Sequence, residues 1–154
     1  MDKPVFLDSN ILVYAINKKS PYYIGARAIL DIINKGELRA CLSPQVLGEF
    51  YAVITNPRKL ERALPPQEAV YVVERLLSAD AVLKLYPQQN TLKLTLKLVK
   101  HYQIKDLDFF DAQIVATMLD NGVTTIYTVN AGDFAVFKEI KAVNPFGLNA
   151  NRSG

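Results

Sequence analysis

Three carboxylates stand where the surrounding residue pattern gives them no obvious place. Asp8 ends the apolar run Val5-Phe6-Leu7 and is followed by Ser9, Asn10 and a second apolar segment, Ile11-Leu12-Val13. Glu49 interrupts Val46-Leu47-Gly48-Glu49-Phe50-Tyr51, and Asp111 sits within Phe109-Phe110-Asp111-Ala112-Gln113-Ile114-Val115. In an open α/β sheet, ligands and catalytic groups collect at the carboxyl ends of the strands. An Asp there, just before the chain turns into a helix, can hold a cation or activate water. Three such acids from distant parts of the chain suggest a metal-dependent phosphodiesterase. A phosphodiester is itself anionic, so the acids suit it only if they hold divalent cations. Oxygen ligands without a histidine cluster select a hard ion, Mg²⁺ or Mn²⁺. Such an ion lowers the pKa of bound water and stabilises charge on the phosphoryl oxygens.

Each acid also has a plainer explanation. Asp is a favoured helix N-cap, which accounts for Asp8 on its own. Glu49 falls at the edge of the apolar stripe Val46, Leu47, Phe50, Val53 and Ile54, where a carboxylate is usually solvated. Asp111 occupies the third helical position if Asp108 is the cap, where an acid completes a capping box and complements the helix dipole. Against this, the apolar neighbours of Asp111 imply a buried helix start, where an unpaired charge is costly. Arg58, Lys59 and Arg62 follow the helix carrying Glu49 and are candidate phosphate contacts. Lys93, Lys97 and Lys100 share one helical face, and with His101 they read as solvated surface.

The elements that must position these groups follow from punctuation and periodicity. Residues 4–8 read as a buried strand followed by a short helix through Tyr14 and Asn17. Ser20-Pro21 looks like a cap opening a helix that carries Ile24, Ala28, Ile29, Ile32 and Ile33 and stops at Gly36. Residues 38–42 read as a strand, and Ser43-Pro44 caps a helix through Ile54. A further helix spans 66–78, with Val70, Val73, Leu76 and Leu77 inward, followed by a strand over 81–86. Residues 91–98 alternate Leu with polar residues, which is strand periodicity. Strong helix formers and the lack of a turn signal through Gln103 favour helix instead. Asp108 to Asn121 reads as a helix ended by Gly122, with strands at 124–129 and 140–143. Strands alternating with helices predict a parallel sheet covered on both faces. Residues 1–148 are expected to form a single domain and 149–154 a disordered tail.

Composition narrows the classes. At 154 residues, half of them apolar and about a fifth charged, the chain can bury a core without disulfides. No apolar run approaches the roughly 20 residues of a membrane-spanning helix, and no membrane association is expected. Met1-Asp2-Lys3-Pro4 shows no secretory signal architecture, and the lone Cys41 suits a reducing cytoplasm. A net charge of +3 permits a nucleic-acid partner without arguing for one. One histidine excludes two-imidazole catalysis and a polyhistidine zinc site within one chain, and no phosphate-cradling glycine loop is present.

Four stretches, in order, resemble the PIN domain and, within it, the VapC-type toxin ribonucleases of prokaryotic toxin–antitoxin systems. They are Phe6-Leu7-Asp8-Ser9-Asn10-Ile11-Leu12-Val13-Tyr14-Ala15; Leu47-Gly48-Glu49-Phe50-Tyr51 through Thr55-Asn56-Pro57-Arg58; Phe110-Asp111-Ala112-Gln113-Ile114-Val115-Ala116-Thr117; and Ile126-Tyr127-Thr128-Val129-Asn130-Ala131-Gly132-Asp133-Phe134. The resemblance implies a Rossmann-like α/β/α sandwich with a central parallel sheet and Mg²⁺- or Mn²⁺-dependent hydrolysis of RNA. Carried over by position, Asp8 and Asp111 become the principal metal ligands and Glu49 the third acid. Asn10 and Thr128 become supporting polar groups, and Asn130 or Asp133 fills the family's variable fourth acidic place. A homodimer and a cognate antitoxin protein are implied as partners. Two alternatives stand beside this: a PIN-like module that binds RNA or protein without cutting, and a haloacid-dehalogenase-type phosphatase. The latter needs a second Asp two residues after the first, where this chain has Asn10.

Overall fold

Five short parallel strands form the centre of a computed structural model that describes residues 3–147. They are β1 (Val5–Leu7), β2 (Ala40–Leu42), β3 (Val82–Lys84), β4 (Thr125–Tyr127) and β5 (Lys141–Val143), in the sheet order β3-β2-β1-β4-β5. Phe6 pairs with Cys41 on one side and Ile126 on the other, so β1 is the middle strand. Phe6, Leu7, Cys41, Leu42 and Ile126 are all fully buried. Such continuous apolar runs are what a parallel sheet covered on both faces requires.

Crossover helices join the strands: α1 (Ser9–Tyr14), α2 (Tyr23–Asn34), α3 (Pro44–Ile54), α4 (Pro66–Ser78), α5 (Thr91–Tyr102), α6 (Phe109–Asp120) and the one-turn α7 (Ala131–Phe134). Helices α1 to α4 pack among themselves and α5 packs on α6, as expected for right-handed crossovers leaving β1 in one direction and β3 in the other. The strand order reverses between β1 and β4. That switch point opens a crevice at the carboxyl ends of these two strands, directly before Asp8 and Thr128.

Several expectations change at this level. All five strands are shorter than their apolar runs, because the ladder ends where the chain bends into the next helix. The first helix stops at Tyr14 and does not reach Asn17. Ser20 does not cap α2: its hydroxyl accepts the Tyr22 amide at 3.0 Å within a turn, and the helix starts at Tyr23. On α2 the inward residues are Ala26, Ile29 and Ile33, while Ile24, Ala28 and Ile32 face outward. On α4, Ala69 is the fully buried residue, and Val70 and Leu77 are exposed. Segment 91–102 is helical, with Thr91, Thr95 and Leu98 buried and Leu92 and Leu96 left exposed. The Thr hydroxyls permit this burial: Thr95 donates to the Thr91 carbonyl at 2.8 Å, and Thr91 donates to Asp120 at 2.6 Å. Cys41 is fully buried, donates weakly to the Val5 carbonyl, and has its thiol pushed up to about 12 by burial, which makes it inert. The expected tail at 149–154 lies outside the described residues.

Candidate active site

Asp8 is the pivot of the crevice. Its amide donates to the Tyr127 carbonyl at 3.0 Å, continuing the β1–β4 ladder by one residue and fixing the side chain at the strand ends. The carboxylate then divides its work. Oδ1 caps α1 by accepting the Ser9 amide at 2.8 Å. Oδ2 accepts the Thr128 hydroxyl at 2.8 Å and the Asn10 side-chain amide at 3.3 Å. The capping and site readings of Asp8 therefore coexist in one side chain. Burial raises its pKa, while the bonds from Thr128, Ser9 and Asn10 pull the other way.

Thr128 and Asn10 form the layer that holds Asp8. Thr128 is fully buried, and its own amide donates to the Val143 carbonyl at 3.0 Å. Its hydroxyl oxygen also accepts from the Asn10 side chain at 3.2 Å and from the Asn130 amide at 3.0 Å. Asn10 accepts the Val129 amide at 3.3 Å, tying α1 to the loop after β4. Asn10 lines the cleft, whereas Thr128 lies beneath it and acts through Asp8.

The other acids arrive from α3, α6 and α7. A cleft of about 330 Å³ is lined by Asp8, Glu49, Asp111 and Asp133, together with Ser9, Asn10, Tyr14, Lys59 and Asn130. Glu49 is half-buried and lines the cleft beside Asp8, Asn10 and Tyr14, not the freely solvated edge that the helical wheel indicated. Gln45, one turn earlier, donates to Glu49 Oε1 at 3.0 Å and to the Phe110 carbonyl at 3.0 Å, joining α3 to the start of α6. Burial raises the Glu49 pKa, and the nearby Asp8 adds to it.

Asp111 is not a capping-box residue. Asp108 belongs to a 3₁₀ turn (Asp106–Asp108) that runs directly into α6 and makes no side-chain cap, so the first turn of α6 is free to aim Asp111 at the cleft. Its pKa is pushed up to about 6, first by burial and then by the charges of Asp8, Asp108, Asp133 and Glu49. Among the described residues it has no ion-pair partner, since the single ion pair is Lys19–Glu61. Asp133 is exposed on α7, which the buried Phe134 immediately after it anchors. Asn130 flanks the same opening.

The seven residues singled out in the sequence are thus brought together, six on the cleft wall and Thr128 behind it. Gln45, Tyr14 and Lys59 complete the surroundings. Gln45 had a readable signal in its Gln-x-x-x-Glu spacing on one helix face. Arg62 lines a separate hollow with Lys19 and Glu61, and Arg58 does not line the cleft. His101 and the three lysines of α5 are exposed and do not line the cleft.

Among the described residues no three acidic, histidine or cysteine side chains close into a ready-made metal cage. The donor set still fits a hard divalent cation. Four carboxylates from separate elements face one opening, and the neighbouring acids already raise the pKa of Asp111, a repulsion that a cation would relieve.

A doubly wound parallel sheet with an acid-lined crevice at its switch point defines a class of α/β proteins whose chemistry rests on carboxylates. Within that class the chain belongs to the PIN domain family, whose model matches residues 5–140. Ribonuclease VapC43 of Mycobacterium tuberculosis is 28% identical over 139 residues, covering 90% of this chain and 93% of that protein. Ribonuclease VapC24 of the same organism is 30% identical over 134 residues, covering 85% and 89%. Among solved structures, M. tuberculosis VapC20, described as a sarcin–ricin-loop-cleaving toxin, superposes with a TM-score of 0.66 at 16% identity, over 89% of this chain and 98% of that one. VapBC2 of Rickettsia felis, solved with a promoter DNA fragment, gives 0.63 at 17% identity, over 92% and 98%. At these identities the structural likenesses establish the fold.

Proposed function

We propose that this chain is a Mg²⁺- or Mn²⁺-dependent endoribonuclease and the toxin of a toxin–antitoxin pair. The observation that carries the reading is the convergence of Asp8, Glu49, Asp111 and Asp133, from four separate elements, on one cleft at the strand carboxyl ends. The names of the VapC relatives support ribonuclease activity, and a structurally similar toxin–antitoxin complex from Klebsiella pneumoniae supports an antitoxin partner.

Asp8 and Asp111 would hold the cation, with Glu49 and Asp133 completing the acidic wall. When bound, the ion supplies a polarised water nucleophile and counter-charge for the phosphoryl oxygens. The chain's own residues do the rest. Thr128 and Asn10 fix the direction of Asp8 Oδ2, and their hydrogen bonds favour its ionised form. Gln45 holds Glu49 against the start of α6, so the acids of α3 and α6 keep their separation as substrate enters. Such orienting layers are what keep ligands from collapsing onto one another.

The protein is proposed to act in the cytoplasm as a homodimer. Exposed Leu92 and Leu96 on α5 and Val70 and Leu77 on α4 favour surfaces covered by protein partners. No described helix is long and apolar enough to cross a membrane. The test is cleavage of RNA by purified protein with Mg²⁺ or Mn²⁺, abolished by EDTA and by Asp111→Asn. A non-cutting module would bind RNA without product under every metal condition.

A further inference from the structure

We infer that Lys59 is the cleft's own phosphate anchor, a substrate-positioning residue that holds an RNA backbone phosphate over the acids. The inference rests on the proposed ribonuclease reading and names a recognition element for it. Among the described residues Lys59 is the one basic side chain lining the acidic cleft, which it shares with Asp8, Glu49, Asp111 and Asp133. It forms no ion pair with any of them, since the described residues contain the Lys19–Glu61 pair alone. A lysine beside four carboxylates that docks on none of them keeps its ammonium available for an anion from solvent.

The backbone explains why Lys59 points there. Helix α3 ends at Ile54, and the chain reverses at once through Asn56-Pro57. Asn56 organises the turn: its side-chain oxygen accepts the Arg58 amide at 2.9 Å, and its carbonyl accepts the Lys59 and Leu60 amides, each at 3.0 Å. Leu60 is buried, and the Leu64 amide returns to the Ile54 carbonyl at 2.8 Å, closing the loop onto the helix end. The turn is pinned on both sides of Lys59, while the lysine itself stays exposed. Neighbouring Arg58 and Arg62 miss the cleft, so charge reaches it by placement and not by local abundance.

Electrostatics gives the lysine its role. Four carboxylates outnumber the charge of one divalent cation, so an entering phosphodiester still meets a net negative wall. A fixed ammonium at the rim offsets this for a phosphate next to the scissile one and sets the register of the strand.

The experiment compares Lys59→Ala and Lys59→Arg with the wild type on a short single-stranded RNA, measuring KM and kcat across salt and Mg²⁺ titrations. Lys59→Ala is expected to raise KM about five- to tenfold with kcat within about twofold, and to make the log KM–log salt slope shallower by about 0.7. Lys59→Arg should restore most of both, and Arg58→Ala should leave KM within about twofold. An unchanged KM and salt slope in Lys59→Ala, with wild-type cleavage intact, overturns the anchor. A lower Mg²⁺ requirement with unchanged KM also overturns it, since Lys59 would then act on the acids alone. Absence of metal-dependent cleavage by the wild type refutes the ribonuclease reading itself and is separable from both.

Discussion

Removing one charge from the acidic cleft should make the metal-free protein more stable, and Asp111→Asn is the substitution that shows it. The Asp111 carboxyl is pushed from an ordinary 3.8 up to about 6 by burial and by four neighbouring acids. The folded protein therefore holds this proton more tightly than the unfolded chain does. Folding takes up protons between those two values, and stability falls as pH rises through that window. At 1.36 kcal/mol per pK unit the full effect is about 3 kcal/mol. The side chain is half-buried, and solvent screening reduces this to about 1–1.5 kcal/mol. For a chain of this size that corresponds to a melting temperature higher by about 3–5 °C in Asp111→Asn at pH 7.5 in EDTA. The advantage should shrink steadily as pH drops from 6 toward 3.8, where the wild-type carboxyl also becomes neutral. Millimolar Mg²⁺ should cancel or reverse it, because the wild type alone gains from the ion at that position. Calorimetry of both proteins at pH 7.5 and 4.5, with and without EDTA, makes the comparison. Equal melting temperatures at pH 7.5 in EDTA, or a gap of the same size at pH 4.5, would refute the crowded-carboxylate reasoning.

Three further outcomes follow from the same geometry. Thr128→Val removes the hydroxyl that favours ionised Asp8, so the acid limb of the pH–rate profile should move to higher pH while Thr128→Ser keeps it in place; coincident limbs would deny Thr128 its orienting role. Asp133→Asn should raise the Mg²⁺ concentration for half-maximal cleavage with little change in melting temperature, and Asn130→Ala should do less; an unchanged metal dependence would leave a three-carboxylate site. Light scattering at micromolar concentration should return twice the 17.2 kDa chain mass, and a monomer would count against the proposed homodimer.

What the residues disclosed in advance, and what they withheld, has a physical pattern. The parallel sheet was legible because both faces are buried, leaving unbroken apolar runs such as Val5-Phe6-Leu7 that need no partner to be recognised. Helix α3 was legible from Ser43, whose hydroxyl does cap it, and from Pro44 in its first turn. The failures came where a local signal competes with tertiary placement. Ser20-Pro21 has the same chemistry as Ser43-Pro44 yet makes a turn, because α2 begins two residues later. Glu49 looked solvated on an isolated wheel, since the wheel knows nothing of the cleft that residues of other elements complete around it. Thr91 and Thr95 hid the inward face of α5, because their hydroxyls are satisfied inside the protein and polar residues then read as outward. Asp8 and Asp111 could be named from their apolar company. That they share a wall with Asp133, and with Lys59 from a turn past α3, follows only from the order in which the strands assemble.

Asp8 is proposed to serve metal-dependent RNA cleavage and not merely the start of α1. Asp8→Asn keeps a side-chain oxygen for the Ser9 amide and so preserves the cap, while removing the charge. The decisive measurement is the single-turnover cleavage rate of Asp8→Asn against wild type in Mg²⁺ or Mn²⁺, on proteins shown by circular dichroism to be folded. A fall of about 100-fold or more is expected, with the fold intact. A folded Asp8→Asn protein that cuts RNA at the wild-type rate would contradict it.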